Sequence, residues 1–198
     1  MTIYRNRQWS CYGDGMLSFP APSTAPFVSK LQASNHLLIS SPLVLKALEA
    51  GVLVGPVVNG APKVDSASLT SALAKPTTAV DPGDIVFHVG PLAPDPRHGS
   101  VRSHSGWHAQ NSMNLSKQMR RRAWTGCWNL GAAAPEVLGG NAAAAVSGFI
   151  VDEAVVVDYD YCPVDGYVNL IVIDVAPDAV KYLGRRVPVV RGSLWTRP

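Results

Sequence analysis

Glutamate is almost missing from this 198-residue chain: Glu49, Glu136 and Glu153 are the only three. Lysine is scarce too, and charged residues reach only 16% of the total against the usual ~25%. Glu and Lys normally coat a soluble monomer, and contacts between proteins avoid them. Their shortage argues for an outer surface partly covered by other copies of the chain. A GC-rich coding sequence, which favours Ala, Gly, Pro, Arg and Val, explains the same shortage without a partner. Cysteine is limited to Cys11, Cys127 and Cys162, an odd number with no CxxC pair. That excludes a four-cysteine zinc site and argues against a disulfide framework, so reduced, mostly buried thiols are expected.

Other absences narrow the field. No run of about 18 apolar residues is present to form a membrane-spanning helix. The N-terminal stretch MTIYRNRQWSCYGDG lacks the apolar region of a secretory signal, so the expected location is cytoplasmic, or a virion if the chain assembles into one. GxxxxGK[ST], GxGxxG after a strand, GxSxG and HExxH do not occur, which removes the common nucleotide-dependent classes. The formal net charge of +3 is too small to argue for nucleic-acid binding by itself.

The chain has the length of one domain. Residues 1–30, with Pro20, Pro22 and Pro26 closely spaced, read as an extended Pro-rich arm, and residues 31–198 as a single β-rich domain. SSPLVLKALEAG predicts a helix with Ser41 as N-cap, Pro42 in the first turn and Gly51 at the end. GVLVGPVV then reads as a short buried strand, and DSASLTSALAKP as a second helix capped by Asp65 and stopped before Pro76. DPGDIVFHVG is a turn feeding a strand over Ile85–Val89, followed by a long polar loop from Pro91 to about Ser112. PEVLGG and NAAAAV each suggest a short helix.

The strongest strand pattern is FIVDEAVVVDYDY. Strict alternation puts Val151, Val155, Val157, Tyr159 and Tyr161 on one face and Asp152, Asp158 and Asp160 on the other. CPVDG reads as a hairpin loop, YVNLIVIDV as a central strand apolar on both faces, and RRVPVVRG as an edge strand. The expected fold is β-rich α+β: an antiparallel β-sandwich or barrel-like sheet with two or three short helices.

Charge is distributed in blocks. Arg97, Arg102, Lys117, Arg120, Arg121 and Arg122 follow one another with no acid between them. Asp152 to Asp178 then brings seven acids with no cation, and Lys181, Arg185, Arg186, Arg191 and Arg197 close the chain with no acid. Either the blocks neutralise one another within one fold, or a basic patch on one copy meets an acidic face on the next. Contact between unlike patches is heterologous and builds rings, shells or filaments. On the second reading Arg97, Arg102, Asp152, Asp158, Asp160, Arg185 and Arg186 are interface residues. Lys117, Arg120, Arg121 and Arg122, with Trp124 and Trp128 near by, are candidates for holding phosphates of packaged nucleic acid. Asp158 and Asp160, two apart on a strand, are the one place where Ca²⁺ is conceivable; no other cofactor is implied, and no catalytic residue belongs to this reading.

RHGSVRSHSGWH concentrates His98, His104 and His108 in twelve positions. A zinc site there needs His98 or His88 as third ligand, and HxxxH lacks the glutamate partner of a metalloprotease. DPGDIVFH resembles the turn and strand that open the sheet of NlpC/P60-type cysteine peptidases. That resemblance implies a nucleophilic cysteine at a helix start upstream and a histidine opening a strand downstream. Cys11 with His104 or His108 is the pair this sequence offers, although YGDGMLSFPAP after Cys11 does not start a helix. A Cys/His-dependent hydrolase is therefore the alternative. The profile as a whole is similar in type to small viral coat proteins, and the leading expectation is a self-assembling structural subunit.

Overall fold

The computed structural model describes residues 25–95, 102–110, 114–162, 166–189 and 194–197. Most of the expected arm, together with Arg97, His98 and Cys11, lies outside them. The chain begins with strand β1 (Phe27–Ser29), whose last residue starts helix α1 (Lys30–Leu37). Ser29 Oγ accepts the Gln32 N–H while the Gln32 side chain accepts the Ser29 N–H, a reciprocal capping box that fixes the turn from strand to helix. Helix α2 (Ser41–Glu49) starts one residue earlier than its sequence signal, with Ser40 as N-cap and Pro42 in the first turn. Gly51, at φ +72°, takes the chain out of it.

The expected buried strand over GVLVGPVV is not formed. Only β2 (Val57–Val58) is extended, with both residues exposed, and it pairs with β3 (Ala61–Asp65), which also pairs with β1. Helix α3 (Ser66–Leu73) follows, and Asp65 caps it by accepting the N–H groups of Ala67 and Ser68, as its sequence predicts. Val28, Leu37, Val44, Leu53, Val64 and Leu69 bury their side chains in this N-terminal layer, and Phe149 from the main sheet joins them.

The main sheet is built from β4 (Ile85–Val89), β7 (Asn141–Val146), β8 (Phe149–Tyr161), β9 (Val168–Asp174) and β10 (Trp195–Thr196). Its order is β10-β4-β7-β8-β9, with β4 and β7 parallel and the other neighbours antiparallel. Between β4 and β7 lie the short hairpin strands β5 (Ala93–Pro94) and β6 (His104–Ser105), helix α4 (Lys117–Thr125) and the single turns Gly131–Ala133 and Pro135–Val137. The architecture is mixed α/β with several sheets, and no barrel closes among the described residues. Helix α4 and the two turns cover one face of the main sheet. The coil around Tyr182 and Val187 covers part of the other. These layers, rather than a second large sheet, occupy the faces where the strand pattern suggested a sandwich.

Three expectations are corrected by this sheet. NAAAAV forms no helix: it is β7, buried along its whole length. Alanine has the highest helix propensity, but here it is the side chain small enough to let Phe87 and Trp124 close on one face and Tyr182 on the other. YVNLIVIDV is not a central strand among the described residues, because β9 ends the sheet there and leaves Ile171 and Ile173 exposed. RRVPVVRG contributes only isolated bridges from Arg186 to Thr77 and Phe149 within its described part.

Two bulges in β8 also overturn the simple alternation. The register slips at Val151, which lies between the partners of Ala144 and Ala145, and again at Val157. Each extra residue reverses the facing of the side chains after it. Asp152 therefore lies on the face of Val156 and Tyr159, and Asp158 and Asp160 lie on the opposite one. A two-residue turn at Ser147 (φ +54°) and Gly148 (φ +85°) joins β7 to β8, the left-handed pair that matches strand twist in a tight hairpin.

A buried polar knot holds the C-terminal coil to the sheet. The Glu153 carboxylate accepts the Asn141 side-chain N–H and the backbone N–H groups of Lys181, Tyr182 and Leu183. Beside it Asp84 accepts from Asn141 N–H, Lys181 Nζ and the Tyr182 hydroxyl. Burial, reinforced by Asp84, pushes the Tyr182 phenol well above its ordinary range, so it stays a donor.

Cys127 and Cys162 form a disulfide with Cα atoms 5.7 Å apart. This corrects the expectation of reduced thiols: three cysteines 35 and more residues apart carry no pairing signal, and only the fold brings these two together. The bond ties the segment after α4 to the end of β8, where Trp128 also pairs with Val168.

Replacing Glu153 by Ala should lower the unfolding free energy by about 4 kcal/mol, taking about 1 kcal/mol for each donor left without an acceptor. A urea titration showing under about 1 kcal/mol would reject the knot as a main support. Reducing the disulfide, or replacing both cysteines by Ala, should cost about 3–4 kcal/mol from the sequence separation it spans, read by the same titration with and without reductant.

Candidate functional site

Helix α4 starts at Ser116, whose hydroxyl accepts the Met119 N–H. Its inner face carries Trp124, fully buried, whose indole N–H donates to Asp152 at 2.8 Å. Arg121 lies over the Trp124 ring and within 3.3 Å of both Asp152 and Asp174. Lys117 also pairs with Asp174. The Lys117 ammonium is the main reason the exposed Asp174 carboxyl is held below its usual range, with Arg121 adding to it. Thus two of the four candidate phosphate-holding cations already face acids of their own chain. Arg120 and Arg122 lie on the exposed side of α4 and make no ion pair among the described residues.

The other candidate interface residues divide in the same way. Arg102 is buried, donates to Asp95 at 2.6 Å and to the Ala123 carbonyl, and stacks over Trp128. Asp152 serves Trp124 and Arg121. Asp158 and Asp160 share one face of β8, as the expected pair; Asp158 accepts the Tyr159 N–H and Asp160 accepts the Asn169 side chain. Among the described residues no cluster of three His, Cys, Asp or Glu side chains has the arrangement of a metal site. Arg185 is exposed, and Arg97 lies outside the described residues.

The histidines do not converge. His104 sits on β6, not on a helix, and its Nδ1 meets the Ser103 hydroxyl. His108 Nδ1 meets the backbone of Gln110. The strand ends at Ser105 and the chain turns at Gly106, φ +98°, so no regular helix or strand spacing aligns the two rings. Cys11, the nucleophile of the hydrolase alternative, and His98 lie outside the described residues, and Cys127 and Cys162 are held in their disulfide.

A cleft of about 860 Å³ opens where the ends of α1 and α2 approach the carboxyl ends of the parallel pair β4 and β7. His36, Lys46, His88 and Arg186 line it, and no described lining residue is acidic. Arg186 donates to the Leu37 carbonyl at 2.7 Å and lies over the Phe149 ring. Burial lowers its pKa from the ordinary arginine range, the mark of a cation partly stripped of water. His88 Nε2 meets the Thr196 hydroxyl at 2.8 Å. These four side chains come from four separate segments, so no local motif announces the group, although His88 and Arg186 each stood out singly.

Burial pulls the His88 imidazole below its ordinary pKa of 6.5. The unfolded chain then binds this proton more readily than the folded one, so stability falls as pH drops through 6.5 toward the folded value. Thermal unfolding between about pH 7.5 and about pH 5 should show this decline, and His88→Gln should flatten it; equal slopes in the two chains would reject the assignment. Neither a protein-family model, nor a curated protein, nor a solved structure matches this chain.

Proposed function

We propose that the chain is a self-assembling structural subunit whose copies meet through unlike surfaces, in a shell of the kind small viral coat proteins build. The observation that carries this reading is the set of charges left over after the internal ion pairs are made. The outer side of α4 keeps Arg120 and Arg122 together with Met119, which is 42% exposed. The far end of the main sheet keeps Asp158 and Asp160 beside exposed Val157, Ile171 and Ile173. One surface is basic with an apolar centre, the other acidic with an apolar centre. They lie on opposite faces of the sheet, so one copy offers each to a different neighbour. Apolar side chains rimmed by charge mark protein contacts, and opposite charge sets their register. A head-to-tail contact of this kind closes into a ring or shell, or runs on as a filament.

Among the described residues no strand pairs with the outer edge of β9 along its C-terminal half, a row of backbone groups that natural edges normally protect. A neighbour seated there would protect it. Arg120 and Arg122 are also the residues of this surface able to take phosphate, so packaged nucleic acid competes with the neighbouring copy for them.

The test is light scattering after size exclusion, with absorbance at 260 and 280 nm recorded together. A multi-subunit particle is expected at low salt, shrinking as salt rises toward about 1 M, where screening shortens to ~3 Å. The double variant Arg120→Glu with Arg122→Glu should stay small, and adding Asp158→Arg with Asp160→Arg to the same chain should restore assembly. A raised 260/280 ratio in the particle assigns the arginines to nucleic acid. A monomer at every salt concentration would overturn the proposal.

A further inference from the structure

We propose that the basic cleft between the N-terminal helices and the carboxyl ends of β4 and β7 binds a single-chain amphiphile with an anionic carboxylate or phosphate head. This inference is independent of the assembly reading, since none of the surfaces invoked there lines the cleft.

The head is argued from the charges. Lys46 and Arg186 carry positive charge into one concave space, the rings of His36 and His88 add nitrogen hydrogen-bonding groups beside them, and no acid among the described lining residues balances the two cations. Arg186 carries five N–H donors, and the Leu37 carbonyl occupies Nη2. Among the described residues its guanidinium otherwise meets the Phe149 ring face and pairs with no carboxylate. A half-buried guanidinium without a counterion is costly, and its planar fork suits the paired oxygens of a carboxylate or phosphate. The hydrogen bond to Leu37 fixes the fork in place before a ligand arrives.

The tail is argued from the rest of the lining. Leu37 and Val187 floor the cleft and are buried, while Leu38, Val189 and Leu194 stand at its edge with 80%, 38% and 65% of their surface exposed. No Phe, Tyr or Trp is among the described lining residues. A nucleobase or other flat ring, which stacks on large aromatic faces, would have only the small His36 and His88 rings and the Arg186 plane to act on, whereas a flexible alkyl chain covers the exposed aliphatic edge. The volume lies within the ~300–1,000 Å³ of small-molecule sites.

The experiment is isothermal titration of the full chain with dodecanoate and dodecyl phosphate, both below their micelle concentrations, against dodecanol and inorganic phosphate. Saturable one-to-one binding by at least one of the two anionic amphiphiles is expected, at least tenfold tighter than either control, and the stronger of the two identifies the head. Arg186→Gln should weaken binding at least tenfold. Because Arg186 also holds the end of α1, Lys46→Glu on the exposed side of α2 serves as second variant, with a loss of at least fivefold at unchanged melting temperature. Dodecanol binding as well as dodecanoate, phosphate binding as well as dodecyl phosphate, no saturable binding, or unaltered binding by both folded variants would each overturn the proposal.

Discussion

A single buried carboxylate, Glu153, anchors the coil at Lys181–Leu183 to the main sheet. Its oxygens collect three successive backbone N–H groups, from Lys181, Tyr182 and Leu183, and the Asn141 amide that opens β7. A coil segment would otherwise leave those amides facing an apolar sheet without acceptors, at the full cost of desolvation. With them satisfied, Tyr182 and Val187 settle over Ala143 and Ala145, and Arg186 is carried to the end of α1. The cleft exists because this knot holds one of its walls.

The same closeness of layers explains β7. Its four alanines sit between Phe87, Trp124 and Tyr182, where a longer side chain would force the layers apart and strain their rotamers. Read alone, NAAAAV has the local preference of a helix. In the fold, burial on both faces and ladder bonds to β4 and β8 outweigh the few tenths of a kcal/mol per residue that separate Ala from strand formers. The β8 bulges act in the opposite sense: FIVDEAVVVDYDY announces a strand without ambiguity, and Phe149–Tyr161 is that strand. Yet which aspartates share a face depends on one extra residue, Val157, that local sequence does not mark. Asp152 is turned inward to Trp124 and Arg121, away from Asp158 and Asp160, for that reason alone.

The charge blocks, the most visible feature of the sequence, resolve in part within one molecule. Lys117 and Arg121 meet Asp152 and Asp174, Lys181 meets Asp81 and Asp84, Arg197 meets Glu136, and Arg102 meets Asp95. The remainder is smaller and better defined: the exposed arginines of α4, the exposed aspartates of β8, and a cationic cleft. Single residues of these groups were legible from their neighbours in the chain. Their grouping was not, because cation and partner stand up to 100 positions apart, as Lys181 and Asp81 do.

Neighbouring residues alone were enough wherever local chemistry decides. Asp65 caps α3 because its carboxylate reaches N–H groups two and three residues on. Pro42 and Gly51 bracket α2 through their backbone angles, and Ile85–Val89 and Phe149–Tyr161 are strands through side-chain alternation and β-branching. Only in the folded chain do alanines form a central strand, does Cys127 meet Cys162, does β9 become an edge, and do His36, Lys46, His88 and Arg186 face one space. Each of those rests on contacts between segments far apart in the chain, where packing volume and the satisfaction of buried polar groups outweigh the small preferences any residue has on its own.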